Sequence, residues 1–172
     1  RLLSIGYAGG LVPKLEVSDL IVAEQIVDVE SSAEFVPDQK WLQSALNVPA
    51  RENYKIISGR LITADKVIHS PQDKKEFGER FSAEAVEMET SAIAKVATDK
   101  NLLFLSVRAI SDSVEQEILD SSSFLGSDGE ISKLKAGWYV LTHPGSISSA
   151  LSLRSQTQRA TRTMTEFVSH LL

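Results

Sequence analysis

Leu102-Leu103-Phe104-Leu105-Ser106-Val107 is an apolar run broken by a single hydroxyl. A run of this kind reads as a parallel strand buried on both faces, which needs helices packed against it. Arg108-Ala109-Ile110-Ser111-Asp112 follows and sets a carboxylate where the apolar run stops. Ser111 and Asp112 are thus predicted just past the carboxyl end of the strand, where open α/β sheets bind their ligands.

The rest of the chain repeats that architecture. Apolar strands predicted at residues 1–6, 19–27, 54–63, 83–88 and 102–109 alternate with helical stretches, the pattern of a layered α/β domain. Helices are predicted over residues 38–46, over 70–81 with Ser70 as N-cap and Pro71 in the first turn, and over 88–101. In the last of these, Ala92, Ile93, Val96 and Ala97 are expected on the buried face, with Lys95, Asp99 and Lys100 toward water. Residues 113–130 are polar and serine-rich, a connector or a lid, and 131–141 read as helix until His143-Pro144-Gly145 breaks it. Met164, Phe167, Val168 and Leu171 then recur at i, i+3, i+4 and i+7, so the chain closes on an amphipathic helix.

Bulk properties remove several classes of function. At 172 residues and 42% hydrophobic, the chain has enough material for one domain with a real core. A net charge of -5 argues against a surface that coats nucleic acid. The absence of cysteine excludes disulfides, thiolate metal sites and a cysteine nucleophile. No stretch approaches the roughly 20 apolar residues of a membrane span, and the cytoplasm is the expected location. His69, His143 and His170 lack metal-ligand spacing, and neither a nucleophile elbow nor a phosphate-binding GxxxxGK[ST] loop is present. Arg154, Arg159 and Arg162 make the tail locally basic, either a solvated helix face or a contact for an anionic partner. The first segment reads as a strand with no turn or cap before it, and the domain, spanning 1–172, is expected to lack its front portion.

Three places carry side chains suited to chemistry. Gly6-Tyr7-Ala8-Gly9-Gly10 follows a strand without GxGxxG spacing, and Pro13 stands where a dinucleotide motif would open its helix. Its glycines serve either a structural turn or the close approach of backbone amides to a sugar or phosphate oxygen. In Val86-Glu87-Met88-Glu89 an extended backbone would put both glutamates on one face, where a carboxylate can accept two hydrogen bonds from a ribose diol. The alternative is that both acids favour a helix N-terminus. Asp112 is a helix cap or a buried acid at a strand end, and Ser111 shares the capping alternative.

The order GxAGGL (Gly6 to Leu11), VEME (Val86 to Glu89) and RAISD (Arg108 to Asp112) resembles the purine nucleoside phosphorylase and nucleosidase superfamily over nearly the whole chain. It resembles especially the methylthioadenosine/S-adenosylhomocysteine nucleosidase branch. The resemblance implies a three-layer α/β fold around a central mixed sheet and cleavage of a purine N-glycosidic bond by water or phosphate. It implies no cofactor, with phosphate a co-substrate only in a phosphorylase, no metal, and a homo-oligomer, dimer or trimer. By resemblance Asp112 hydrogen-bonds purine N7 and protonates the leaving base, and Glu89 binds the ribose diol. Met88 packs on the sugar, Glu87 and Ser111 support, and the Ala8-Gly9 loop lines the place of nucleophilic attack.

The chain also departs from the family. Tyr7 stands where nucleosidases often carry serine or threonine, and Arg60-Leu61-Ile62-Thr63 follows Ser58-Gly59 in place of an aspartate and a base-stacking phenylalanine. The family's front portion, with the acid that activates water, is not in this sequence. Residues 118–172 are similar to the hopanoid-associated phosphorylase-like branch, which implies an adenosylated lipid precursor as an alternative substrate. A catalytically silent homologue that binds a nucleoside or serves in assembly is the alternative function.

Overall fold

The computed structural model describes residues 1–50, 53–118 and 145–172, the side chains of 145–154 excepted. In chain order the described elements are β1 (Leu2–Gly10), β2 (Leu20–Asp28), β3 (Glu34–Phe35), α1 (Gln39–Leu46), β4 (Ile56–Thr63), α2 (Pro71–Phe81), β5 (Ala85–Glu87), α3 (Thr90–Asp99), β6 (Phe104–Asp112) and α4 (Gly145–Leu171). The expected α/β class is observed, with a single mixed sheet ordered β3-β2-β4-β5-β1-β6. β6 runs parallel to β1 and antiparallel to β2, so a strand read simply as parallel has one neighbour of each sense. The β2–β6 pairing also closes β2, β4, β5, β1 and β6 into a ring, with β3 outside it on β2.

Alternation along the strands divides the core between two helical layers. Leu20 and Val22 of β2 and Leu105, Val107 and Ala109 of β6 pack against Leu42 and Ala45 of α1 and Ala160, Met164 and Phe167 of α4. Ile21, Ala23 and Ile26 of β2 and Ile110 of β6 join Ala94 and Ala97 of α3 on the other side. Sandwiched this way, β6 is buried along its whole length except at half-buried Ser111. The expected periodicity of the last helix holds: Met164 and Phe167 are in the core, and Val168 and Leu171 pack against it.

Local signals set the helix starts. The Asp38 side chain accepts from the Trp41 amide at the head of α1, and Ser70 accepts from the Asp73 amide with Pro71 opening α2. The helix expected from residue 88 begins instead at Thr90, because β5 runs to Glu87. Its buried face also differs from the expected one. Thr90, Ser91, Ala94 and Ala97 face the protein, while Ala92 is exposed and Val96 is 52% exposed. Small side chains on that face let the helix lie close to the sheet, and the resulting contact decides burial in place of hydrophobicity.

Two strand ends are corrected as well. β1 does not stop at Gly6 but continues through the glycines to Gly10, pairing Gly9 and Gly10 with Val86 and Ala85 of β5. β6 continues through Asp112, so Ser111 and Asp112 lie within the strand and cap no helix. Glycine within a strand commonly marks a bulge or a close approach, and both occur here. The expected helix at 131–141, the break at His143-Pro144 and most of the connector at 113–130 lie outside the described residues.

Candidate active site

The site is built where β1, β5 and β6 end side by side. Along β1 and β6 the register runs Ala8 to Ile110 and then Gly9 to Asp112, passing over Ser111. A bulge of this kind re-aims side chains. The Ser111 hydroxyl lies 2.6 Å from Asp112 Oδ1 and 3.3 Å from the Ala8 carbonyl oxygen. Asp112 itself is buried, and its Oδ2 accepts at 2.6 Å from the ammonium of Lys74 in α2. Lys74 is wholly buried and also donates to the carbonyl oxygens of Ser113 and Gln116, at 3.0 and 2.8 Å.

Glu87 ends β5 and is the electrostatic anchor of the site. Its carboxylate accepts from Thr63 Oγ1 at 2.7 Å, from the Glu89 and Thr90 amides, and from Arg108 Nη2 at 3.2 Å. Burial alone would raise its pKa, but the hydrogen bonds from Thr90 and Thr63, the Arg108 charge and the Glu89 amide outweigh burial and hold it below the usual carboxylate range. Glu87 thus fills the helix N-terminal role that was the alternative reading for both acids. Arg108 also donates to Ser4 Oγ at 2.9 Å and Thr90 Oγ1 at 2.6 Å. Gly6 lies beside this guanidinium, and a Cβ there would meet it at 3.5 Å, an ordinary van der Waals contact.

Past Glu87 the chain turns, so Glu87 and Glu89 do not share a strand face as expected. Glu89 caps α3 by backbone position only, with no side-chain cap bond, and its exposed side chain is left for another partner. Met88 is 44% exposed beside it.

A cavity of about 270 Å³ joins these parts, and Ala8, Gly9, Glu87, Met88, Glu89, Ser111 and Asp112 all line it. Every site residue expected from the sequence therefore lines one cavity. Tyr7 also lines it and bonds at 2.6 Å to Thr161 Oγ1 of α4. Arg60 does not line it; its guanidinium donates to the Phe81 carbonyl oxygen. The same cavity includes Lys66, Val67 and Ile68, for which the sequence carried no signal, and Lys74. Among the described residues no cluster of His, Asp or Glu could hold a metal ion, and no helix is long and apolar enough to cross a membrane.

Lys74 was the main omission of sequence reasoning. It sits in a polar helix beside Lys75, where a lysine ordinarily faces water. The one available signal was Gly78, a turn later on the same helix face. A Cβ at Gly78 would come within 2.9 Å of the Leu11 carbonyl oxygen, so the glycine lets α2 settle against the chain just after β1 and carries Lys74 inward.

A family profile described as the phosphorylase superfamily matches residues 1–134. A 5'-methylthioadenosine/S-adenosylhomocysteine nucleosidase of Staphylococcus haemolyticus (strain JCSC1435) is 31% identical over 127 residues, which are 64% of this chain and 56% of that protein. The chain thus spans just over half the length of that curated relative. Among solved structures, the Campylobacter jejuni 5'-methylthioadenosine/S-adenosyl homocysteine nucleosidase is 28% identical with a TM-score of 0.59, covering 69% of this chain and 58% of that one. Futalosine hydrolase of Helicobacter pylori strain 26695 superposes on 98% of this chain and 66% of its own with a TM-score of 0.69; at 21% identity this is a likeness of fold.

Proposed function

The chain belongs to the phosphorylase superfamily, and from that premise we propose that it cleaves the N-glycosidic bond of a purine nucleoside, such as methylthioadenosine or S-adenosylhomocysteine, by attack of water or phosphate at the sugar. The observation that carries this reading is the meeting of Asp112, Glu89, Met88 and the Ala8-Gly9 backbone on one cavity.

In this mechanism Asp112 gives a proton to N7 of the base, which makes the purine a better leaving group. Ser111 orients that carboxyl. Glu89 accepts the ribose hydroxyls, and its negative charge stabilises the positive charge that grows on the sugar as the bond breaks. Met88 packs on the sugar face. Glu87, already saturated with donors, holds the head of α3 and so the position of Glu89. The Ala8-Gly9 backbone faces the attacking water or phosphate. No cofactor takes part, and phosphate is a co-substrate only if the reaction is a phosphorolysis. The assembly is a homo-oligomer in this reading.

Base release from a panel of methylthioadenosine, S-adenosylhomocysteine, futalosine and inosine, with and without phosphate, tests the proposal. Release that needs no phosphate marks a nucleosidase, release that depends on it a phosphorylase. No release from any member, with nucleoside binding retained, would favour the silent homologue.

A further inference from the structure

We propose that Lys74 is a positioning residue for the leaving-group acid: it fixes the Asp112 carboxyl and offsets the charge left there when the proton passes to the base. This inference rests on the nucleoside-cleavage reading and adds a residue to it. The geometry is specific. The Lys74 ammonium lies 2.6 Å from Asp112 Oδ2, with the two side chains 1% and 6% exposed. Its other two donors go to the Ser113 and Gln116 carbonyl oxygens, which fasten the chain that leaves β6. Two residues further on, the Ile118 amide donates to the His69 carbonyl oxygen at 3.0 Å, and Ile118 lines the cavity. One ammonium thus fixes both the carboxyl and the chain between Ser113 and Gln116, just before Ile118 reaches the cavity.

Charge is the reason a lysine stands here. Once Asp112 has lost its proton the two groups form a buried ion pair, and such a pair adds little net stability over apolar packing of the same volume, so it is poorly explained as a fold-stabilising device. In the reaction the sugar–N9 bond breaks and its electron pair goes to the base. The Asp112 carboxyl gives its proton to N7 and becomes a carboxylate. The proton released by the attacking water, or by hydrogen phosphate, later restores the carboxyl. Negative charge therefore develops on Asp112 beside a fixed cation, with both side chains almost fully buried, where such an interaction is stronger than in water.

The test compares methylthioadenosine with 4-nitrophenyl β-D-ribofuranoside, whose phenolate leaves without taking a proton. Wild type, K74Q, K74R, D112N and the K74Q/D112N double variant are assayed on both. K74Q and D112N should each lower kcat for the nucleoside by on the order of 100-fold, with KM within about 3-fold of wild type and the riboside reaction spared. K74R, which keeps the cation, should recover much of the loss, and the double variant should be no slower than D112N. Unchanged nucleoside turnover in K74Q would overturn the inference, as would equal loss on both substrates or losses that multiply in the double variant. If K74Q does not fold, K74R and the double variant, which removes the unpaired carboxylate, decide the matter. An active wild type with an indifferent Lys74 sinks only this inference; a wild type that releases base from no purine nucleoside overturns the functional reading and this inference with it.

Discussion

Gly9 and Asp112 stand opposite each other across the bulge between β1 and β6, and Asp112 Oδ2 lies 3.0 Å from the point where a Gly9 side chain would begin. The same oxygen receives the Lys74 ammonium. Gly9→Ala should therefore push the carboxyl by a few tenths of an ångström at a stability cost of about 1–3 kcal/mol, typical of overpacking. Nucleoside turnover should fall at least about tenfold, since misplacement of a reacting group costs rate steeply. Steady-state kinetics beside a urea melt would check it, and wild-type kcat would show that the close approach is irrelevant to the chemistry.

Glu89 is exposed and caps its helix without a side-chain bond, so Glu89→Gln should leave stability within about 0.5 kcal/mol of wild type. Its effect should appear on the sugar. Wild type should prefer a ribonucleoside to the 2'-deoxy analogue, and the variant should lose most of that preference along with turnover. Competition between the two substrates measures this directly; an intact preference would remove Glu89 from diol recognition.

Glu87→Gln should behave in the opposite way. Both carboxylate oxygens are bonded, and Arg108, 2% exposed, would lose its anionic partner. Breaking a buried pair from one side costs about 3–5 kcal/mol. Chemical unfolding at pH 7 should show a loss of that order, and a loss under about 1 kcal/mol would mean the pair is not structural.

Acid sensitivity follows from the same group together with Asp28. Hydrogen bonds from Ser91 and Ser31 hold the Asp28 carboxyl below its ordinary value, and Glu87 is lowered despite its burial. A carboxyl depressed in the folded state contributes stability that is fully present above its unfolded value, about 4, and lost as pH falls through the folded value. Urea melts should show no loss from these groups between pH 7 and about 5 and a steep loss below about 4, with a shallower acid slope in Glu87→Gln. An identical slope in the variant would assign the acid lability elsewhere.

Gly78→Ala tests how α2 is seated. A helix interior ordinarily gains about 1 kcal/mol from this change. Here the new Cβ meets the Leu11 carbonyl oxygen at 2.9 Å, so the helix has to move and the net effect should be destabilising by about 1–3 kcal/mol. Because Lys74 shares that face, nucleoside turnover should fall too. A more stable, fully active variant would mean that the close packing is not needed.

The parts of the molecule legible in the sequence are those whose signal is local. Ser70-Pro71 and Asp38 announce helix starts through single hydrogen bonds, and the spacing of Met164, Phe167, Val168 and Leu171 announces one helix face. The cavity was legible because its residues sit at the ends of three strands of one sheet, so finding the strands placed the acids together. What escaped depends on distances between elements far apart in the chain. Lys74 is buried where Gly78 lets α2 approach Leu11, and α3 buries Ser91 and Ala94 while exposing Val96 because small side chains let it approach. The run of β1 through Gly9 and Gly10 depends on partners in β5 and β6 that the local sequence cannot announce.

The closure of the sheet through β2 and β6 bears on how the protein comes into being. That seam pairs Leu20, Ile21 and Val22 with Ala109, Arg108 and Val107 and continues through backbone bonds of Ile110 with Ser18 and Asp19, and the neighbouring Arg108–Ser4 bond links residues 104 apart in the chain. Loop-closure entropy makes contacts of this range slow to form. β6 also carries Ser111 and Asp112, so the strand that closes the ring is one of those that line the cavity. A partly folded chain would have no assembled pocket in which to retain a nucleoside, and the same ligand would protect the seam amides from hydrogen exchange once the ring has closed.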